Sequence, residues 1–222
     1  MFVVVQNDPE VPAGTYGDHL RNRGVPFETV RPYAGESLPD AVEVRRAIVL
    51  GGAMGVCDTD RFPFLAEVKR FIGACVQGET PFLGICLGGQ LLADVLGGKV
   101  TANSPYGEKG TLPVSLTAAG EADPLFAGLG RDFITFQWHN DSFAVPPGGV
   151  LLASSAACQN QAFRYGRNAY GTQFHPEVNG EIVAQWVRDS AGGEPLRSAF
   201  AANESLYRQA ALRLLINFLA IE

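Results

Sequence analysis

Cysteine is scarce, with four residues in 222, and Cys57, Cys75, Cys86 and Cys158 form no CxxC pair. So thin a spread excludes a disulfide scaffold and a zinc-ribbon spacing, and a reducing compartment is expected. Basic charge is also short: 17 Lys and Arg stand against 23 Asp and Glu, a formal net charge of −6. That balance makes a poor surface for a phosphate backbone, so nucleic acid is not expected as a partner. No uninterrupted apolar run nears the roughly 20 residues of a membrane span. Met1-Phe2-Val3-Val4-Val5 leads at once into Gln6-Asn7-Asp8 without a basic leader. No membrane association is expected, and the sequence reads as cytoplasmic. Internal repeats, low-complexity blocks and long linkers are missing too, so residues 1–222 are expected to form a single domain.

What is present is an ordinary globular composition, 46% apolar and 18% charged, rich enough to build a sizeable core. In the first half short apolar runs at 2–5, 25–30 and 47–50 alternate with helical periodicity, the first helix lying within 14–23. This rhythm predicts a parallel sheet. A helix is predicted at 64–77, because Phe64, Leu65, Val68, Phe71, Ile72 and Cys75 share one stripe, with Gly78 closing it. Residues 81–85 read as a buried strand and 87–96 as a helix stopped by Gly97-Gly98. The second half is richer in strands, predicted at 112–116, 133–138, 150–153, 162–165 and 169–174, some of them antiparallel. Two last helices are predicted at 181–189 and 204–219, separated by the Gly- and Ala-rich stretch 190–203.

The sharpest chemical signal is Gly84-Ile85-Cys86-Leu87-Gly88, which has the form of a nucleophile elbow between a buried strand and a helix. Cys86 then stands at a helix N-terminus, where unpaired N–H groups favour a thiolate. Taken alone, the pentapeptide also fits a small buried cysteine in a glycine-rich turn. A partner base must come from His19, His139 or His175. His175 is the best of these, because Glu177 follows it by two and shares its face in extended chain, where a carboxylate can orient the ring. Pro176 between them fixes φ and asks for no ladder hydrogen bond. Nucleophile, base and orienting acid are then all available. Acyl chemistry at sulfur also needs donors for the oxyanion. The Leu87 N–H is one, and Gly51-Gly52, at the carboxyl end of the strand over 47–50, supplies the other. Cys57, Cys75 and Cys158 read as structural thiols. No metal or organic cofactor is implied, since neither clustered ligands nor a Rossmann or Walker glycine signature is present.

Three ordered segments carry a family likeness: Leu50-Gly51-Gly52-Ala53-Met54, Gly84-Ile85-Cys86-Leu87-Gly88-Gly89-Gln90, and Gly171-Thr172-Gln173-Phe174-His175-Pro176-Glu177. Together they resemble the signatures of class I (triad) glutamine amidotransferases, closest to the stand-alone, GMP-synthase-like members. The resemblance implies an α/β, flavodoxin-like fold: an open mixed, mainly parallel sheet with helices on both faces. It implies hydrolysis of the glutamine side-chain amide to glutamate and ammonia through a Cys86 thioester, with His175 as acid and base and Glu177 orienting it. The Gly52 and Leu87 amides would hold the oxyanion. Gln90 and the backbone around Met54 would help bind glutamine. Trp138-His139-Asn140-Asp141-Ser142-Phe143 resembles the family loop that grips the α-amino and α-carboxylate groups, which adds His139, Asn140 and Asp141. Asn140 stands where the family more usually has glycine, a position an Asn could fill even at φ > 0. Ala53 stands where many members have proline.

The expected partners are L-glutamine or another γ-glutamyl substrate, and a separate ammonia-accepting synthase, since the chain leaves no room for a synthetase domain after its last helix. A γ-glutamyl hydrolase or peptidase is the alternative, the difference lying in an outer pocket expected near 58–61 and 104–109. The complete Cys86, His175 and Glu177 set argues against a redox-sensing module. An α/β-hydrolase is disfavoured because its acid normally precedes its histidine.

Overall fold

Four consecutive apolar residues form β1 (Phe2–Val5), which is buried on both faces: Phe2 and Val4 point into one core, Val3 and Val5 into the other. The computed structural model describes residues 1–188, 190 and 192–222. Strand β1 is flanked in parallel by β2 (Glu28–Val30) and β3 (Arg46–Val49), and β3 by β4 (Phe82–Ile85). Beyond these lie β5 (Val100–Thr101), β6 (Glu108–Leu116), β7 (Asp132–His139), β8 (Ser142–Phe143), β9 (Gly149–Ser154), β10 (Ala162–Tyr165) and β11 (Ala169–Thr172). The main sheet runs β2-β1-β3-β4-β11-β10-β9-β6-β7, with β5 and β8 pairing separately. Its first five strands are parallel and the pairings beyond β11 are antiparallel, which gives the expected mixed sheet.

Helices cover both faces. On one, α2 (Phe64–Gln77) and α3 (Leu87–Val95) bury Leu65, Val68, Ile72, Leu91 and Leu92 against Val3, Val5, Val49 and Phe82. After the short α4 (Ala118–Glu121), the other face is packed by α1 (Gly14–Asn22), α5 (Gly180–Val187) and α6 (Gly193–Ala220).

The predicted break over 190–203 is corrected, because α6 begins at Gly193. Gly192 takes a left-handed conformation at its N-cap, and Pro195 lies in the first turn, where a missing N–H costs no bond. Alanines 199, 201 and 202 then favour helix rather than interrupt it. Phe200 anchors that stretch, its ring 5.7 Å from Phe136 and 5.0 Å from Tyr207. Asp189, the predicted end of the preceding helix, lies outside the described residues. Strand β11 stops at Thr172, two residues earlier than predicted, and the chain then bends through 173–177.

Because β3, β4 and β11 run parallel, their carboxyl ends open on one edge of the sheet, the usual position for a site in an open α/β fold. Gly51 and Gly52 follow β3, Cys86 follows β4, and His175 follows β11.

Candidate active site

Cys86 sits between β4 and α3 with φ 51° and ψ −108°, a conformation that costs a non-glycine residue about 1–3 kcal/mol. The turn is held by bonds on both sides: Cys86 N donates to Thr172 O (2.8 Å), and Gln90 N donates to Cys86 O (2.9 Å). Its glycines are required by close backbone approach. A Cβ on Gly84 would lie 2.4 Å from Gly88 O, and one on Gly88 would lie 2.0 Å from Val49 O. The elbow is therefore wedged against β3 and presents the sulfur at the sheet edge.

His175 reaches the same point from β11. Its backbone N–H donates to Phe136 O (2.8 Å), and the Tyr207 hydroxyl donates to His175 O (3.0 Å) and Val178 O (3.1 Å). The Trp186 ring stands edge-on at 4.8 Å. Nδ1 of His175 donates to Glu177 Oε1 (2.7 Å), and the imidazole also interacts electrostatically with Cys86. Glu177 is fully buried, its main-chain oxygen fixed by Thr15 N (2.7 Å) and Thr15 Oγ1 (3.1 Å). Burial opposes a charge on His175, but the Glu177 carboxylate and the Cys86 sulfur outweigh it and push the imidazole up to about 10. The site thus favours the charged form of the ring beside the sulfur.

Gly51 packs closely on the site, since a Cβ there would meet His175 Cε1 at 3.0 Å and Cys86 Cβ at 3.5 Å. At Gly52 a Cβ would lie 3.0 Å from Leu87 Cδ2, so the two candidate oxyanion residues are neighbours. The pocket over the sulfur has a volume of about 360 Å³. Gly52, Met54, Cys86, Gln90, His139, Asn140, Asp141 and His175 all line it, whereas Leu87 and Glu177 are buried behind its wall.

Several expectations change in detail. His139 ends strand β7 rather than lying in a loop. The described residues with positive φ other than glycine are Glu79, Cys86 and Asn103, so Asn140 fills the usual glycine position without that conformation. Ala53 N donates to Asp8 Oδ2 (3.0 Å), a bond that a proline there could not make. Gln90 does not point an uncommitted amide at the cavity, because its Nε2 donates to Gln173 Oε1 (3.3 Å) and Asp141 O (3.5 Å). The same pocket is also lined by Asp8, Glu10, Lys109, Trp138, Gln185, Trp186 and Arg188, and of the residues expected in its outer part only Lys109 lines it.

Sequence reasoning missed Gln173 and Trp186. Gln173 Nε2 approaches Cys86 Sγ at 3.7 Å, and its place inside the third motif was the available signal. For Trp186, on α5, only the fold brings the ring to His175. Also missed was a cluster of possible ligands: Glu108, His139 and Cys158 are buried with their donor atoms all within 4.8 Å of one another.

The family model described as "Glutamine amidotransferase class-I" matches residues 16–189. The chain belongs to the class I glutamine amidotransferases. It is 36% identical over 183 residues to the glutamine amidotransferase-like protein YfeJ of Salmonella typhimurium, covering 80% of this chain and 76% of that one. It is 32% identical over 201 residues to the glutamine-hydrolyzing GMP synthase subunit of Natronomonas pharaonis, covering 87% of this chain and 98% of that one. A crystal structure of a glutamine amidotransferase from Thermotoga maritima superposes with a TM-score of 0.87 at 28% identity, over 97% of this chain and 95% of that one. Another, from Methylobacillus flagellatus, gives 0.88 at 26% identity over 100% and 95%. The fold is thus that of this family, a flavodoxin-like mixed sheet covered by helices on both faces. No helix among the described residues is long and apolar enough to cross a membrane.

Proposed function

We propose that this class I amidotransferase hydrolyses the side-chain amide of L-glutamine, with Cys86 as nucleophile, His175 as acid and base, and Glu177 orienting His175. The observation that carries the reading is the placement of one imidazole between the Cys86 sulfur and the Glu177 carboxylate. The sulfur attacks the amide carbon, and the charge that develops on the amide oxygen is met by the backbone N–H groups of Gly52 and Leu87. His175 passes its proton to the departing nitrogen, which leaves as ammonia and a glutamyl thioester on Cys86. The neutral imidazole then takes a proton from water. Hydroxide adds to the thioester carbon, releasing glutamate and regenerating the sulfur. Glu177 stabilises the charged ring in each half-reaction, and Trp186 shields its face from solvent. His139, Asn140 and Asp141 would receive the amino-acid end of the substrate, with Met54 and Gln90 shaping the opposite wall.

Relatives named as subunits of GMP synthase support a reading in which the ammonia passes to a separate synthase. A second reading, hydrolysis of other γ-glutamyl amides, is favoured by a pocket of about 360 Å³ lined by Lys109, Trp138 and Trp186 as well as Cys86. Incubating the purified protein with L-glutamine and following glutamate and ammonia tests the first reading. Release is expected from wild type, with a loss of at least about 10³-fold in Cys86→Ala. A strong preference for γ-glutamyl dipeptides over glutamine would instead establish the second.

A further inference from the structure

We propose that Glu108, His139 and Cys158 form a binding site for one divalent transition-metal ion of the zinc class, behind the wall of the candidate active site. Glu108 and His139 are cross-strand partners at the ends of β6 and β7. Cys158 comes from the connection between β9 and β10, where Ser155 N donates to Cys158 O (2.8 Å) and Cys158 N donates to Ser155 Oγ (3.0 Å). Three separate segments thus converge on one buried point, with carboxylate, imidazole and thiol donors within 4.8 Å of one another.

The imidazole gives the independent sign of a ligand. Nδ1 of His139 lies 2.9 Å from Asp141 O, a contact in which Nδ1 carries the proton, so that in the neutral ring Nε2 is the acceptor. That Nε2 has no hydrogen-bond partner, belongs to a side chain only 1% exposed, and faces Glu108 Oε2 at 3.8 Å. An imidazolium donating to this carboxylate would close to about 2.7–2.9 Å. A buried imidazole nitrogen left without a donor beside a carboxylate is unfavourable unless a cation takes its lone pair. Nitrogen and oxygen ligands at about 2.0–2.2 Å in tetrahedral geometry lie roughly 3.3–3.6 Å apart, so the pair at 3.8 Å needs to close by only a few tenths of an ångström. An Nδ1–H bonded to a main-chain carbonyl is also the usual outer support of a metal-bound histidine. Ser155 Oγ (2.7 Å) and Gln161 Nε2 (2.5 Å) donate to Glu108 Oε2 and hold the carboxylate in place.

Mixed nitrogen, sulfur and oxygen donors suit zinc or cobalt and disfavour magnesium or calcium. On binding, Cys158 releases its thiol proton to solvent and the sulfur exchanges its contact with Asn160 O (3.7 Å) for the ion. Three protein ligands leave a fourth position for water. Through the bond from His139 to Asp141, occupancy would stiffen the 140–141 turn and lower KM more than it changes kcat. That consequence rests on the proposed function, whereas ion binding does not.

The test uses Cys86→Ala protein, so that the elbow sulfur cannot supply a competing site. After equilibration with Zn²⁺ and dialysis, elemental analysis is expected to give one equivalent. Co²⁺ in its place should show a sulfur-to-cobalt charge-transfer band. Adding Cys158→Ser should lower occupancy at least tenfold and abolish the band. If that variant does not fold, zinc-edge X-ray absorption of the Cys86→Ala protein asks the same question, one sulfur neighbour at about 2.3 Å being expected. Substoichiometric metal in folded Cys86→Ala protein, a band undiminished by Cys158→Ser, or a zinc shell without sulfur would each overturn the proposal. Because the readout is metal content, failure here and failure of glutamine hydrolysis are separable.

Discussion

Glu177 has the most leverage of any side chain around the sulfur. It is fully buried, touches His175 at 2.7 Å, and with Cys86 favours the protonated imidazole against the effect of burial. Glu177→Gln keeps the shape and one hydrogen-bonding oxygen but removes the charge, so the His175 pKa should fall from about 10. Turnover should drop by about 10²–10⁴-fold, the scale of losing an oriented acid–base group. Nuclear magnetic resonance of the ring reads the first effect directly, and a neutral His175 in wild type at pH 7.5 would reverse the argument. Linkage fixes the sign for stability. The folded pKa lies above the unfolded value of about 6.5, so the stabilisation is complete below that pH and is lost as pH rises through about 10. Urea midpoints of wild type should therefore decline over that window relative to Glu177→Gln. That Cys86, His175 and Glu177 would come together was legible in sequence because the elbow is a pentapeptide and Glu177 lies two positions from His175. Glu108, His139 and Cys158 were not, because only the pairing of β6 with β7 and the path from β9 to β10 bring them together.

Among the elements, the elbow between β4 and α3 is the least tolerant of change. Its strained cysteine is held by backbone packed so closely that a methyl group at Gly88 would fall 2.0 Å from Val49 O. Gly88→Ala must push α3 away from β3, and should cost about 1–3 kcal/mol or more while displacing the sulfur. Gly180, the first residue of α5, is the matched control, because nothing lies within 4 Å of a Cβ there. Gly180→Ala should leave both urea midpoint and turnover nearly unchanged, and equal effects of the two substitutions would show that steric approach is not what selects glycine at Gly88. Helix periodicity was readable wherever one apolar stripe repeated, as in α2. It fails over 193–203, where glycine and alanine show no apolar stripe, although alanine propagates helix and Phe200 supplies an anchor two turns before Tyr207.

Across the whole molecule, the family match ends at residue 189, yet the fold continues into α6 from Gly193 to Ala220. That helix contributes Phe200, Tyr207, Leu214, Leu215 and Phe218 to the core on its face of the sheet. At about 1.5–3 kcal/mol for each large apolar side chain, their burial is worth on the order of 10 kcal/mol, comparable with the entire stability of an ordinary domain. A chain ending at residue 192 should therefore show no cooperative unfolding transition by circular dichroism, and should not hydrolyse any γ-glutamyl amide that the full chain hydrolyses. Tyr207→Phe separates packing from polar contact. It keeps the ring and removes the hydroxyl bonds to His175 O and Val178 O, leaving two buried carbonyls short of a donor at a cost of about 1–3 kcal/mol. The full-length variant should stay folded with a lowered urea midpoint and slower turnover, because the hydroxyl ties the His175 backbone to α6. A truncated chain that melts cooperatively and keeps full activity would place the folding unit and the site within the family-matched segment, and reduce α6 to an accessory.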